Sequence, residues 1–322
     1  MASTERGPGA PLRAPESLAK ADAPAGAAAE PDPPAVVQAL TAADLPGALA
    51  LSVSAHWNQN EADWRTMLCL GQGWGIQAPG ADGHRTLAAS TVVLPYGADF
   101  AWVSMVLVRP GFRRRGYASV LLRHALDALA AQGRAAILDA TPAGHAVYAQ
   151  AGFRDTWGLA RWRREARATL SPAAGRPAAP PTRALADSDW PAIQALDVPA
   201  FGASRMPLLR ALAQRLPQAA RVVEEGGRLR GFVLGRDGRE ASQIGPLLAD
   251  DASTALGLVA DALQALPGPV YVDLLAGRDV LQAWLQQQGF GFQRSFTRMV
   301  HGRTTAPGEP GAIMLAAGPE LG

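Results

Sequence analysis

With 322 residues, 48% of them hydrophobic, the chain exceeds one average domain and is apolar enough to bury a core in each of two. A net charge of +2 excludes a generally basic, nucleic-acid-coating surface, and the single Cys69 excludes an internal disulfide. No apolar run reaches membrane-spanning length, no basic-then-apolar leader opens the chain, and the histidines at 56, 84, 124, 145 and 301 lack metal-ligand spacing. A soluble, cytoplasmic, metal-free protein with neither a nucleic-acid nor a membrane partner is expected.

Residues 1–34 are rich in proline and alanine and hold almost no large apolar side chains, so a disordered tail is expected there. A helix over about 42–54 follows, with Asp44 as its cap and Leu45, Leu49 and Leu51 along it. HWNQN, from His56 to Asn60, precedes a short helix over Glu61–Leu68. GWGIQA, TLAASTVVL and FAWVSMVLV, parted by Pro79, Gly80, Gly83, Pro95 and Gly97, read as consecutive antiparallel strands. RPGFRRRGYASVLL, from Arg109 to Leu122, then opens a helix reaching toward Gly133. A strand AAILDA, a helix AGHAVYAQA stopped by Gly152 and a strand FRDTWGLARW complete the segment. The Pro/Ala/Arg-rich stretch 164–182 reads as a linker.

The remaining segment echoes the first. LTAADLPGALAL is matched by LADSDWPAIQAL, VLVRPG by SQIGPLLA and VYAQAGF by WLQQQGF, in one order, and Pro110 to Gly152 spans about as much chain as Pro246 to Gly289. Two copies of one α/β (α+β) fold are expected, over 35–163 and 183–322, each a mixed, mostly antiparallel sheet flanked by helices.

The arginine-rich turn is where chemistry is expected. Ala118, Leu121, Leu122, Ala125 and Leu129 form one apolar face of its helix. The first turn of a helix leaves about four backbone N–H groups unpaired, yet Gly111–Tyr117 contains no Ser, Thr, Asp or Asn to cap them. Gly116 permits close approach, Ala118 keeps the surface low, and Arg113, Arg114 and Arg115 add to the helix dipole in favouring an anion. A phosphate or pyrophosphate fits these features. Hydrated surface arginines are the alternative, disfavoured because the turn directly follows an apolar strand. Neither a P-loop nor G-x-G-x-x-G is present.

Arg113-x-x-Gly116-x-Ala118 resembles the acyl-CoA signature [QR]-x-x-G-x-[GA] of the GNAT superfamily of N-acetyltransferases. LDATPAGHAVYAQAGF resembles a later segment of that fold, with Tyr148 four residues before Gly152-Phe153. Together with HWNQNEADW, FGASR, IGPLLA and AAGPELG, nearly all of 36–322 resembles a bacterial tandem-GNAT subgroup with an acetyltransferase type 18 C-terminal domain.

The resemblance implies acetyl-CoA as acyl donor, with the backbone of Val106 and Val108 along the pantetheine arm. It places Arg113, Arg114, Arg115, Gly116, Tyr117, Ala118 and Ser119 around the pyrophosphate. It further implies direct attack on the thioester by a primary amine of a small molecule, amino acid or peptide, with Tyr148 protonating the leaving thiolate; a packing tyrosine is the ordinary alternative. Asp99, Glu61, Asp63, His84 and His145 are candidate bases, and none is chosen. Trp57, Asn58 and Gln59 belong at the acceptor site unless the tryptophan is core and the amides cap the next helix. A non-catalytic acyl-CoA sensor acting through the C-terminal domain is the alternative function, against which Tyr148 stands.

In the second copy GPLLADDAST stands where the first has RPGFRRRGYA, with Asp250 and Asp251 as helix caps and Leu285 in place of Tyr148. One coenzyme per chain is therefore expected, with FGASR, Phe201–Arg205, bordering the acceptor cleft of a monomer or homodimer.

Overall fold

The computed structural model describes residues 35–80, 83–166 and 179–322. The expected tail and most of the expected linker lie outside these residues. In the first repeat the elements are β1 (Val37–Ala39), α1 (Leu45–Ser54), α2 (Glu61–Leu70), β2 (Gln72–Pro79), β3 (Arg85–Tyr96), β4 (Phe100–Val108), α3 (Tyr117–Ala130), β5 (Ala135–Ala140), α4 (Pro142–Gln150) and β6 (Arg154–Arg164). The second repeat continues with β7 (Arg183–Ala184), α5 (Trp190–Phe201), α6 (Met206–Arg215), β8 (Arg221–Glu225), β9 (Arg228–Arg236) and β10 (Ser242–Ala249). It closes with α7 (Ala252–Gln264), β11 (Val270–Leu275), α8 (Asp279–Gln287), β12 (Gly291–His301) and β13 (Ile313–Leu315).

Two helix starts differ in detail from expectation. Asp44 makes no side-chain bond to α1; its carboxylate accepts from the Thr41 N–H at 2.8 Å, closing a capping box on the 3-10 turn Ala42–Asp44 through which the chain enters the helix. At α2 the cap is Asn60, whose Oδ1 accepts from the Asp63 N–H at 3.1 Å while Asp63 Oδ2 accepts from the Asn60 N–H at 2.9 Å. Asn58 and Gln59 take no part in it.

Among the described residues the strands form one sheet in the order β1-β2-β3-β4-β5-β12-β6-β11-β13-β10-β9-β8-β7. The repeats therefore exchange their last long strands. β12 pairs antiparallel with β5, β6 pairs antiparallel with β11, and β12 and β6 lie against each other from Gly291/Arg163 to Val300/Arg154. The boundary between 163 and 183 is thus a boundary along the chain and not within the sheet. Without the exchange β6 or β12 would end its own half-sheet as an exposed edge.

Side chains alternate across β4, with Phe100 and Trp102 on one face and Ala101 and Val103 on the other. The first face carries α1, α2, α5 and α6, whose Leu51, Trp64, Ile193, Phe201 and Leu212 share one core across both repeats. The second face carries two cores: α3 and α4 cover the first repeat, and α7 and α8 cover the second. Covered on both faces, β3 and β4 read as nearly unbroken apolar runs. Each large side chain of these cores contributes about 1.5–3 kcal/mol by burial. Among the described residues no helix is long and apolar enough to cross a membrane.

Candidate active site

β4 pairs in parallel with β5 only over Phe100–Trp102 and then diverges. A bulge redirects it: the register with β3 slips between Ser90/Leu107 and Val92/Ser104, and Met105 adopts a φ of 51°. Beyond the bulge the Arg109 N–H donates to Ala88 O at 2.9 Å. By the alternation of an antiparallel ladder, the amides of Val108 and Val106 then face away from β3, toward the side that β5 has left.

Arg109–Gly116 carries the chain from β4 to α3. Gly116 is the N-cap, with a φ of 80° and no side-chain bond to the helix start, and Arg114 also has a positive φ of 62°. A Cβ on Gly116 would meet nothing within 4 Å, so the space beside the helix start is open to an approaching group. Arg113, Arg114 and Arg115 are exposed; Arg113 Nε reaches Val108 O at 3.4 Å, and Arg115 lies 5.3 Å from the centre of the Phe112 ring. Ser119 is exposed and Ala118 half-buried, whereas Tyr117 is buried in the core under α3.

In the second repeat the equivalent places are filled from within the chain. β10 bulges at Gly245-Pro246 as β4 does at Met105-Val106, and pairs in parallel with β11 only over Ser242–Ile244. β13 lies between these diverging strands, antiparallel to both through Leu247/Leu315 and Leu274/Leu315. Asp250 and Asp251 alone join β10 to α7. Asp251 Oδ1 accepts from the Thr254 N–H at 2.8 Å, a bond that holds its carboxyl below the usual value. Asp250 pairs with Arg230 at 2.9 Å, so only one of the two expected caps acts as one. Pro246 sits in the bulge, so it is no counterpart of Pro110, which follows its strand. Leu285 occupies on α8 the place of Tyr148 on α4 and is buried in the second core.

Tyr148 lines a pocket at the seam between the repeats. Burial pushes its hydroxyl up to about 12. Its ring meets Phe153 edge-on at 5.9 Å and crosses Gly144, where a Cβ would come within 3.0 Å of Tyr148 Cε2. Trp57, Asn58 and Gln59 line the same pocket. Trp57 is half-buried, as a wall would be. The Asn58 amide is spent on the second repeat: its Oδ1 accepts from the N–H groups of Glu240 and Ala241 at 2.9 and 3.0 Å, and its Nδ2 donates to Ala241 O at 3.0 Å. Gln59 keeps a free acceptor.

None of the five candidate bases lines this pocket. Asp63 is buried between Arg215 and Arg236 at 2.5 and 2.6 Å, and Glu61 pairs with Arg65. Asp99 lies in the exposed β3–β4 turn and His84 is exposed, while His145 Nε2 bonds Asp155 at 2.8 Å. FGASR also lies elsewhere: Phe201 packs in the shared core 4.9 Å from Tyr96 and 5.8 Å from Phe100, and Arg205, stacked on Phe201 at 4.0 Å, is tied to Asp197. It joins the repeats without bordering the pocket.

The exchanged strands bring residues to this wall that the reading of the sequence did not find. Asp139 of β5 is forked to Arg298 of β12, and Arg161 of β6 to Asp273 of β11. Glu320, held through Oε1 by Arg236, also lines the pocket. Gln59 Oε1, Ser104 Oγ, Gln293 Oε1 and Glu320 Oε2 are buried with no partner among the described residues, and all four belong to the lining. Buried polar atoms nearly always have partners, so each of these four is a place where a polar ligand or water would bond.

Residues 68–153 match a family model described as the acetyltransferase (GNAT) family, and residues 193–314 match one described as an acetyltransferase (GNAT) domain. Among solved structures, a putative acetyltransferase from Pyrococcus horikoshii superposes with a TM-score of 0.71 at 17% identity, over 89% of this chain and 95% of its own. A GCN5-related N-acetyltransferase from Sphaerobacter thermophilus gives 0.59 at 16% identity, over 85% and 96%. A tandem GNAT protein from the clavulanic acid biosynthesis pathway gives 0.56 at 18% identity, over 84% and 100%. At these identities the likeness is one of fold. No protein of curated function matches the sequence significantly.

Proposed function

From a chain that carries two GNAT domains in tandem, we propose that the first transfers an acetyl group from acetyl-CoA to the primary amine of a small molecule, amino acid or peptide, and that the second completes the acceptor pocket. The observation that carries this reading is the contrast between the repeats. The same wedge between diverging strands that β13 fills in the second repeat is bordered in the first by the amides of Val106 and Val108. The same helix start that Asp251 caps in the second is left in the first to Gly116 and three arginines. That β13 fits the second wedge as an extended strand supports an extended ligand arm in the first.

Acetyl-CoA would supply the reactive thioester. Val106 and Val108 would pair with its extended arm, and the amides from Arg114 through Ser119 would take the pyrophosphate, with Arg113 and Arg115 adding charge. Tyr148 remains a neutral phenol well above neutral pH, so it can donate a proton from the pocket wall, a role worth about 10²- to 10⁴-fold. Trp57 offers the acceptor an apolar surface and Gln59 a free carbonyl oxygen.

Incubation with acetyl-CoA and a panel of amines, followed by detection of free coenzyme A thiol, tests the activity. Amine-dependent release that falls in Tyr148→Phe is expected. Protein that binds acetyl-CoA yet releases no thiol with any amine would refute the transferase reading.

A further inference from the structure

β12, β6 and β11 set three charged side chains in one row. Arg294 is in register with Arg161, and Arg161 with Asp273, so all three stand on the same face of the sheet. Arg294 and Arg161 both line the pocket. Arg161 is fully matched: it donates Nε and Nη2 to the two oxygens of Asp273, each at 2.8 Å, and lies over the rings of Tyr271 and Phe296 at 5.1 and 5.6 Å.

Arg294 is not matched. Its guanidinium is half-buried and makes no hydrogen bond or ion pair among the described residues. The neighbouring carboxylates are already engaged: Asp273 holds Arg161 and accepts from Gln243 Nε2 at 2.9 Å, and Glu240 holds Arg239 and accepts from the Tyr271 hydroxyl at 3.3 Å. Like charges directly opposite each other across two strands destabilise a sheet. Two cations facing one anion leave the row one negative charge short, and burial together with Arg161 disfavours the charged form of Arg294. A singly charged carboxylate would restore the balance, whereas a phosphate dianion would overshoot it. The planar guanidinium is built to bind a carboxylate through two parallel bonds.

The pocket also holds a complementary group. Glu320 is fixed beside β4, since Trp102 Nε1 donates to the adjoining Pro319 O at 2.9 Å. Its Oε1 is taken by Arg236, whose other partner is Asp63, while Oε2 is buried with nothing bonded to it. A buried carboxylate oxygen of this kind is matched by an ammonium N–H.

We infer that the acceptor is a zwitterionic amine of the amino-acid class, its carboxylate bound by Arg294 beside Arg161 and its ammonium by Glu320. This rests on the acyltransferase reading of the same pocket. It also gives the second repeat a function in the reaction, since Arg294 and Glu320 both come from it.

The test uses the whole chain with the standard amino acids and their primary amides. Turnover is read as thiol released from acetyl-CoA, and binding is read separately as saturation-transfer NMR to protein loaded with coenzyme A. The acids are expected to exceed the amides in kcat/KM by about ten- to hundredfold, the size of one charge-assisted pair. Arg294→Gln should bring that ratio toward one, and Arg294→Lys should retain part of it, both with unchanged coenzyme affinity. Glu320→Gln should weaken acids and amides alike. Amides equal to acids in the unaltered protein, or a ratio unmoved by Arg294→Gln, would overturn the carboxylate site and leave the transferase reading intact. Acid-selective binding without thiol release would keep the site and refute the transferase reading. Acids that neither bind nor react would overturn the site.

Discussion

Arg298 of β12 donates Nε and Nη2 to the two carboxylate oxygens of Asp139 on β5, at 2.8 and 2.9 Å, and so ties the last long strand of the second repeat into the first. Its guanidinium lies between Trp102 and Trp157, 4.3 and 3.9 Å from their ring centres. Arg161 and Asp273 form the same fork with the repeats exchanged.

Arg298→Met removes the cation and leaves Asp139 buried and unpaired, a loss of about 3–5 kcal/mol. Burial already pushes the Asp139 carboxyl up, and Arg298 opposes that shift. In the variant the folded carboxyl titrates well above its unfolded value near about 3.9. The folded form then binds the proton more tightly, so stability is retained at acid pH and lost as pH rises through the raised folded value. Denaturant melts of both proteins between about pH 4 and pH 8 should show a gap that widens with pH. A gap independent of pH would mean that Asp139 is not the group left unpaired.

Tyr148→Phe should keep acetyl-CoA affinity and lower kcat by about 10²- to 10⁴-fold. With the hydroxyl held up at about 12, Tyr148 contributes no alkaline limb to kcat over the neutral and mildly alkaline range. Gly144→Ala gives a second handle on the same ring. Alanine favours a helix by about 1 kcal/mol over glycine, yet its Cβ would stand 3.0 Å from Tyr148 Cε2 and displace the phenol. Unchanged or raised stability with reduced kcat is expected, and wild-type kcat in both variants would reduce Tyr148 to packing.

The exchange of strands makes each half depend on the other. Residues 179–322 alone lack β6, the strand that joins β12 to β11. Residues 35–166 alone lack β12, which joins β5 to β6. Separately produced halves should not show native cooperative melts by circular dichroism, and the two co-expressed halves should elute together. A half that melts cooperatively at the temperature of the whole chain would contradict this interlocking.

Local order along the chain was legible because periodicity reports it: the α3 stripe of Leu121, Leu122, Ala125 and Leu129 and the unbroken runs of β3 and β4 are where the pattern places them. The uncapped start of α3 was legible as missing cap residues before Tyr117. The exchange was not, since β6 and β12 alternate equally well beside either neighbour and nothing local selects one. The polar wall was lost for the same reason, because Asp139, Arg161, Arg298 and Glu320 acquire their meaning from partners far along the chain. One signal was available: a single aspartate in each of the apolar runs AAILDA and VYVDLL needs a buried cation. FGASR misled because an aromatic beside an arginine resembles a binding site as readily as the stacked, ion-paired core contact that Phe201 and Arg205 make.

Calorimetric titration of the whole chain with acetyl-CoA tests most directly whether the first repeat alone holds the coenzyme at the start of α3. Gly116→Ala and Gly116→Glu impose the same backbone strain at a φ of 80°, about 1–2 kcal/mol, but only glutamate adds an anion where the pyrophosphate would lie. One molecule per chain is expected, with binding kept in Gly116→Ala and lost in Gly116→Glu. Two molecules per chain, or wild-type affinity in folded Gly116→Glu, would contradict it.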